Sequence, residues 1–369
     1  MKVALAHDFL REHGGAERVL EVLHEIFPDA PVYTTYVNLQ SMGENGKRFK
    51  DWDIRPSWFQ HFPFANHLLS PFRIFAPMMF ESFDLSSYDL VISSSSATHL
   101  AKSVITKPET LHLSYIHTPP RFLYGYTTSF NYKKHWWTRI GGEIINHFMR
   151  IYDFEVSQRP DILIANSKNV QARIKKFYRR DCVVIYPPID LKEFKLQKKK
   201  QDYFLALNRL VRGKGTEVIV EAATKLRIPL KVAGVGSEMD RLKKIAGKNV
   251  QFLGWVSDKE RVNLLQNAKA LIVASEDEDF GITSIEAQAA GTPVIAPASG
   301  GFLETVEDGK TGLLYGGPGM VTVDVLVQAL QKFDSSKFIP EDLRKNAQNF
   351  SKERFKKEIL ELIGKNLRT

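Results

Sequence analysis

Two carboxylates stand eight residues apart in Glu278-Asp-Phe-Gly-Ile-Thr-Ser-Ile-Glu286, with Phe280-Gly281 between them. The apolar run 270–274 comes before them and reads as a buried strand; residues 283–290 read as a helix. A turn from a strand end into a helix start is where α/β folds bind ligands. Its unpaired N–H groups attract an anion, and carboxylates accept hydrogen bonds from hydroxyls. A single turn offering both suits a ligand that is part phosphate and part sugar. A second turn, Arg209-Leu-Val-Arg-Gly-Lys214-Gly215, follows the strand-like run 203–208. Arg grips phosphate with a planar fork and Lys acts as a point charge, while the glycines let backbone approach a ligand closely. A third, His13-Gly14-Gly15-Ala-Glu-Arg18, opens a helix after the first strand and lacks the Gly-Lys-Ser/Thr ending of a P-loop. The fourth is Ser114-Tyr-Ile-His117-Thr-Pro-Pro-Arg121, where two prolines stiffen the chain between an imidazole and a cation.

These residues need strand ends to carry them. In the second half, apolar runs at 203–208, 230–235, 250–253, 270–274, 293–296 and 312–315 alternate with helix-like segments at 217–225, 238–245, 259–267 and 283–290. That alternation predicts right-handed βαβ units and a parallel sheet. The first half offers strands at 3–8, 32–36, 90–93, 111–116, 162–165 and 183–186, and a helix at 16–26. Long aromatic- and proline-rich insertions lie at 40–85 and 119–150. The expected division is 1–188, 189–350 and a terminal amphipathic helix in 351–369 packing back on the first domain, with the lysine-rich run 192–200 as a solvated linker. Two doubly wound domains facing each other would make a cleft at their strand ends.

Composition narrows the classes. The one cysteine, Cys182, excludes a disulfide framework and a thiolate metal cluster. The chain opens on an apolar strand, and no run approaches the roughly 20 residues of a membrane span, so a cytoplasmic location is expected. A net charge of +9 is spread over both halves and favours anionic partners. Asp277-x-Asp279 and Asp51-x-Asp53 match a metal-binding pattern, but no His or further carboxylate completes a ligand set, so no metal is expected. Gly234-Val-Gly236 lacks the third glycine of a dinucleotide fingerprint, Met239 standing there instead. Residues 58–80 hold many aromatics, Arg73 and no acid, and 132–139 interleave Trp with Lys and Arg. Both stretches suit an anionic membrane surface or a covered helix contact.

The chain resembles the retaining family-4 glycosyltransferases of the GT-B fold. The Gly14-Gly15 turn, Ser114–Arg121, Asn166-Ser167, Tyr186-Pro-Pro-Ile-Asp190, Arg209 with Lys214, and Glu278 to Glu286 occur in that family's order. The segment Ile116-His-Thr-Pro-Pro-Arg-Phe122 is similar to bacterial mannosyltransferases of surface-polysaccharide assembly. The resemblance implies an α/β fold of two facing Rossmann-like domains, the first binding the acceptor and the second a nucleotide sugar. It implies that Arg209 and Lys214 neutralise the donor diphosphate, aided by backbone at Gly14, Gly15, Phe280, Gly281, Ile282 and Thr283. Glu286 would hold the ribose hydroxyls, Glu278 the hydroxyls of the transferred sugar, and His117 would sit by the reacting centre. His13 and Arg121 would meet the acceptor, and the base would lie near Trp255.

The implied reaction moves a hexose, mannose first, from a nucleotide-diphosphate sugar to a hydroxyl of a lipid-linked or oligosaccharide acceptor. It proceeds with retention by diphosphate-assisted front-face attack, without a required cofactor. GDP-mannose is the favoured donor and a UDP-sugar, glucosyl or N-acetylhexosaminyl, the alternative. Peripheral binding to the inner face of the cell membrane goes with this reading. A phosphorylase or non-hydrolysing epimerase shares the fold. A basic nucleotide- or RNA-binding protein is the rival from another class. It leaves the carboxylate pair unexplained and lacks nucleic-acid signatures, so no nucleic-acid partner is expected.

Overall fold

The computed structural model describes the chain apart from Ser70, residues 97–99, 128–135 and 368–369, and the side chains of Pro71, Trp137 and Thr138. Half of the aromatic and basic run 132–139 therefore lies outside the described residues. Two compact units result, one built on Met1–Tyr126, Asn131–Pro188 and Glu353–Thr369, the other on Ile189–Lys352.

The first unit is a parallel sheet of β1 (Val3–His7), β2 (Val32–Thr34), β3 (Ile54–Pro56), β4 (Leu90–Ser95), β5 (Leu111–Ile116), β6 (Ile162–Ala165) and β7 (Val183–Val184). Their spatial order is β3-β2-β1-β4-β5-β6-β7. Strands buried on both faces read as continuous apolar runs, and β1 is buried from Ala4 onward. The order reverses direction between β1 and β4, where His7 pairs with Ser94. One face is covered by the helix Gly15–Ile26, which turns Val19, Leu20 and Leu23 inward. The helix Lys352–Asn366 joins the same core through Phe355, Ile359 and Ile363, while Leu360 on its other side is half exposed.

The second unit is a parallel sheet of β8 (Phe204–Leu207), β9 (Leu230–Ala233), β10 (Val250–Gly254), β11 (Ala270–Ile272), β12 (Val294–Pro297) and β13 (Gly312–Tyr315). Its order is β10-β9-β8-β11-β12-β13, so the reversal falls between β8 and β11. Ligands of open α/β sheets bind outside the carboxyl ends of strands at such a reversal. Together the two sheets form the two Rossmann-like domains of a GT-B fold.

Three features differ from the sequence expectation. The insertion 119–150 contains most of a long helix, Trp136–Val156, masked in sequence by Gly141-Gly142 and by apolar residues on two faces. A short edge strand, β3, ends on Pro56, which edge strands tolerate. The run 192–200 is exposed at Lys192, Glu193, Lys195, Gln197, Lys198 and Lys199, as a solvated linker would be, but is tied down at two points. Phe194 is buried, and the Lys200 ammonium donates to the carbonyls of Gln266 (2.8 Å) and Ala290 (3.1 Å) and to Thr292 Oγ1 (2.8 Å). Burial pushes the Lys200 amine down to about 7.

Candidate active site

In the second unit the chain leaves β8 through Asn208 and Arg209 and reaches the helix Thr216–Leu226 by way of Gly213, Lys214 and Gly215. Gly215 has φ +66°, and a Cβ there would stand 2.1 Å from the carbonyl oxygen of Ala274. Only glycine lets this turn lie against the strand end of β11. Thr216 Oγ1 donates to Asn208 Oδ1 (2.9 Å) and Ser275 Oγ to the Gly213 carbonyl (3.2 Å), locking the two turns together.

The turn after β11 carries Glu278, and its carboxylate accepts from Lys214 Nζ at 2.8 Å. Both side chains are partly exposed, so the pair sits in reach of solvent at the strand-order reversal. Gly281, at φ +87°, caps the helix Ile282–Ala289; a Cβ there would come 2.9 Å from the Phe302 ring. Phe280 is buried against Phe350, with ring centroids 5.5 Å apart. Gly301 N donates to the Glu278 carbonyl at 2.9 Å. Ile282 and Thr283, the first residues of this helix, follow Glu278 by four and five positions and are partly exposed. Arg209 is exposed beyond the end of β8.

Glu286 lies one turn further along the helix and is 3% exposed. Arg261, on the helix Asp258–Asn267, donates from Nη1 to Glu286 Oε1. The same guanidinium reaches Glu193 (3.1 Å) and Asp258 (3.3 Å). Burial works against this cation, but the three carboxylates hold its pKa above the ordinary arginine value. Sequence reasoning had no means of pairing Arg261 with Glu286, since 25 positions separate them. Trp255 follows β10 and is 57% exposed, which excludes a core role for its ring.

In the first unit the strand ends at the reversal hold a chain of polar groups. Gly14 N donates to Glu17 Oε2 at 2.7 Å. Glu17 Oε1 lies 3.4 Å from His7 Nε2, His7 Nδ1 lies 3.1 Å from Ser94 Oγ, and Ser94 Oγ lies 2.9 Å from His117 Nε2. All four side chains are buried. Burial, with His7 adding to it, pushes the His117 imidazole down to about 4. Burial raises the Glu17 carboxyl, but the bond and charge of His7 and the Gly14 N–H outweigh it and leave its pKa below the usual value. Asp8 sits alongside, accepting from Ser96 N (3.0 Å), Ser96 Oγ (3.0 Å) and Ala101 N (2.9 Å).

His13 points away from this chain: its Nε2 bonds Glu21 Oε1 at 3.1 Å and its side chain is 4% exposed. Arg121 is partly exposed after Pro119-Pro120. His7, Ser94 and Glu17 went unnoticed in the sequence. The available signal was Glu17 three residues after Gly14, the spacing of a capping box.

Residues 189–350 match the family model described as Glycosyl transferases group 1. D-inositol 3-phosphate glycosyltransferase of Corynebacterium urealyticum is 29% identical over 248 residues, 58% of this chain and 58% of that protein. The human alpha-1,3/1,6-mannosyltransferase ALG2 is 29% identical over 191 residues, 42% of this chain and 46% of its own. The chain thus spans about half the length of the curated relatives it matches. The fold is also that of Anabaena Alr3699/HepE, solved in complex with UDP and glucose. The TM-score is 0.72 at 19% identity, over 99% of this chain and 100% of that one. The second unit is thus similar to the group 1 glycosyltransferases over residues 189–350, and the chain has the GT-B fold.

Proposed function

We propose that this protein is a retaining hexosyltransferase that takes its sugar, mannose in the first instance, from a nucleotide diphosphate donor. The single observation that carries this reading is the Lys214–Glu278 pair at the strand-order reversal of the second unit. A cation and a carboxylate held together beside a helix start match the two halves of such a donor. Lys214 and Arg209 neutralise the diphosphate, with the N–H groups around Gly281 adding to the field. Glu278 accepts from hydroxyls of the transferred sugar. Glu286, oriented by Arg261, holds the ribose hydroxyls, and exposed Trp255 lies in the region assigned to the base.

In the reaction, the bond from the sugar's anomeric carbon to the phosphate oxygen breaks as a bond to the acceptor oxygen forms on the same face. The acceptor's proton passes to the departing phosphate. No side chain need act as nucleophile; positioning and charge stabilisation supply the rate. No resident metal or cofactor is assigned, because Arg209 and Lys214 take the charge that a divalent ion would otherwise meet. Mannose is the first choice because of the likeness of residues 116–122 to mannosyltransferases, and a UDP-sugar is the alternative.

The acceptor is lipid-linked or an oligosaccharide, met by Arg121, with His13 ordering the Gly14 turn from inside. The lipid half of this reading has its own support. On the helix Trp136–Val156, the residues Trp136, Ile140, Ile144, Phe148 and Ile151 are each at least half exposed and follow one helical stripe. Trp58, Phe62, Phe64, Phe75 and Met78 are also exposed, while Phe59, Met79 and Phe80 of the same stretch are buried contacts. Among the described residues no helix is long and apolar enough to cross a membrane. An apolar stripe of this kind seats a helix in the plane of the lipid interface.

The test is ligand-linked melting in the presence of a chelator. A ligand that binds only the folded state at 100 times its Kd adds about 2.7 kcal/mol, a rise of roughly 5–10 °C for a unit of this size. GDP-mannose, or one UDP-sugar in its place, produces that rise; failure of every nucleotide sugar tried would contradict the reading.

A further inference from the structure

We propose that Glu193 is a positioning residue for the nucleotide: by sharing the Arg261 guanidinium with Glu286, it sets how strongly the Glu286 carboxylate accepts from the ribose hydroxyls. The ribose is the part of this inference that rests on the transferase reading; the sharing of Arg261 rests on the geometry alone. Every residue of the arrangement lies in the second unit.

Arg261 meets one carboxylate at each nitrogen of its fork. Nη1 donates to Glu286 Oε1, Nη2 to Glu193 Oε2 at 3.1 Å, and Nε to Asp258 Oδ1 at 3.3 Å. A guanidinium is planar and permanently charged, so contacts along its three edges fix its plane as well as its partners. The three carboxylates are not equivalent. The Glu286 side chain is 4% exposed, that of Asp258 30% and that of Glu193 38%. Asp258 stands three residues before Arg261 on one helix, so its contact is local. Glu193 comes from 68 positions away and needs support of its own.

That support is present. Asp190 accepts from Lys192 N at 2.9 Å and starts the short turn Leu191–Glu193. Arg344, on the helix Pro340–Gln348, donates to the carbonyls of Leu191 (2.8 Å) and Phe194 (2.8 Å), which flank Glu193, and to the carbonyl of Ala289 (2.5 Å). Ala289 ends the helix that carries Glu286. Phe194 is buried, and its ring centroid lies 5.6 Å from the Arg261 guanidinium carbon. The backbone around Glu193 is thus pinned to the helix of Glu286, and Arg261 spans the two carboxylates.

A cation shared between anions neutralises each of them less than it would neutralise one alone. While Glu193 holds Nη2, Glu286 keeps more of its negative charge, and a charged acceptor makes the stronger hydrogen bond. Without the Glu193 charge, Arg261 settles on Glu286 and competes with the ribose.

Glu193→Gln is the discriminating variant, and a side chain more than a third exposed can be changed without unfolding the unit. The probes are GDP or UDP, whichever stabilises the protein, and its 2′,3′-dideoxy counterpart, titrated by calorimetry. Wild-type protein is expected to bind the ribose form about tenfold more tightly or better. In Glu193→Gln that preference is expected to shrink about threefold or more, through weaker binding of the ribose form, with the dideoxy form nearly unchanged. A merely structural role would weaken both forms alike. Equal weakening of both, an unchanged preference, or a wild-type protein indifferent to the ribose hydroxyls overturns the proposal while nucleotide binding stands. Absence of all nucleotide binding overturns the transferase reading, and the ribose role with it. The sharing of Arg261 is read without ligand, by urea unfolding of Glu193→Gln, Glu286→Gln and the double variant. Glu193→Gln is expected to lower the urea midpoint more in the Glu286→Gln background than in wild type, because Arg261 then has fewer carboxylates to draw on. Should Glu286→Gln not fold, Asp258→Asn takes its place with the same expectation. A lowering that is equal or smaller in that background overturns the sharing.

Discussion

Lys214 and Glu278 bond each other at 2.8 Å, and under the proposed function each would have a different partner on the donor. Removing one therefore has consequences that can be separated. Lys214→Ala takes away a cation aimed at the leaving diphosphate and is expected to lower kcat/KM about 100-fold or more. Glu278→Gln keeps the shape and removes the charge; donor affinity falls about tenfold and affinity for the free nucleoside diphosphate changes little. Glu286→Ala is expected to weaken donor and free nucleotide alike, and it also removes the most buried of the three carboxylates that hold the Arg261 cation, so its melting temperature falls. Isothermal titration of donor and nucleotide against the variants checks this; equal effects of Glu278→Gln and Glu286→Ala on both ligands would end the division of roles. Much of this was legible in the sequence because Lys214, Glu278 and Glu286 each lie next to a recognisable strand end. The Arg261–Glu286 pair and the Glu17–His7–Ser94–His117 chain were not, because each joins residues from separate elements. Ser94 looks in sequence like one of four consecutive serines.

At the scale of elements, parallel strands and their crossover helices announced themselves through alternation, and β5, β6 and β13 have the bounds expected of them. The helix Trp136–Val156 did not, since a helix with a buried and an exposed apolar face lacks the single stripe that marks an ordinary amphipathic one. Its inner face is anchored by Asp153, which accepts from Lys102 Nζ (2.5 Å) and from Tyr124 OH (2.8 Å). Arg150 Nη1 also donates to the Leu123 carbonyl at 3.2 Å. With the inner face fixed, the outer stripe can be changed without unfolding the unit. Ile144→Asp with Phe148→Asp is expected to abolish sedimentation with anionic phosphatidylglycerol vesicles at low salt and to shift the melting temperature by no more than a few degrees. Vesicle binding that survives the double substitution would remove this helix from the lipid reading.

For the molecule as a whole, buried neutral histidines set an acid limit on stability. His112 is pushed down to about 3 by burial, with Arg180 and Arg159 adding to it, and its buried Nδ1 has no hydrogen-bond partner among the described residues. His117 is pushed down to about 4. Both ordinarily titrate near 6.5. Between 6.5 and those values the unfolded chain binds more protons than the folded one, so stability is complete above 6.5 and falls as the pH falls. The slope is roughly 1.4 kcal/mol per pH unit for each histidine. Urea unfolding followed between pH 7 and 4 reads that slope, and His117→Gln is expected to make it shallower. A stability independent of pH over that range would contradict the buried neutral state of both rings.

The central claim is sugar transfer from a nucleotide donor with retention, and its most direct measurement is the anomeric configuration of the product. The purified protein, the stabilising nucleotide sugar with an α-anomeric hexose and a hydroxyl acceptor in detergent are followed by proton NMR in the presence of a chelator. The account predicts release of nucleoside diphosphate together with an α-linked product. A β-linked product would contradict retention and the front-face mechanism, and bound donor that is never transferred to any of a panel of lipid-linked and oligosaccharide acceptors would contradict the transferase itself.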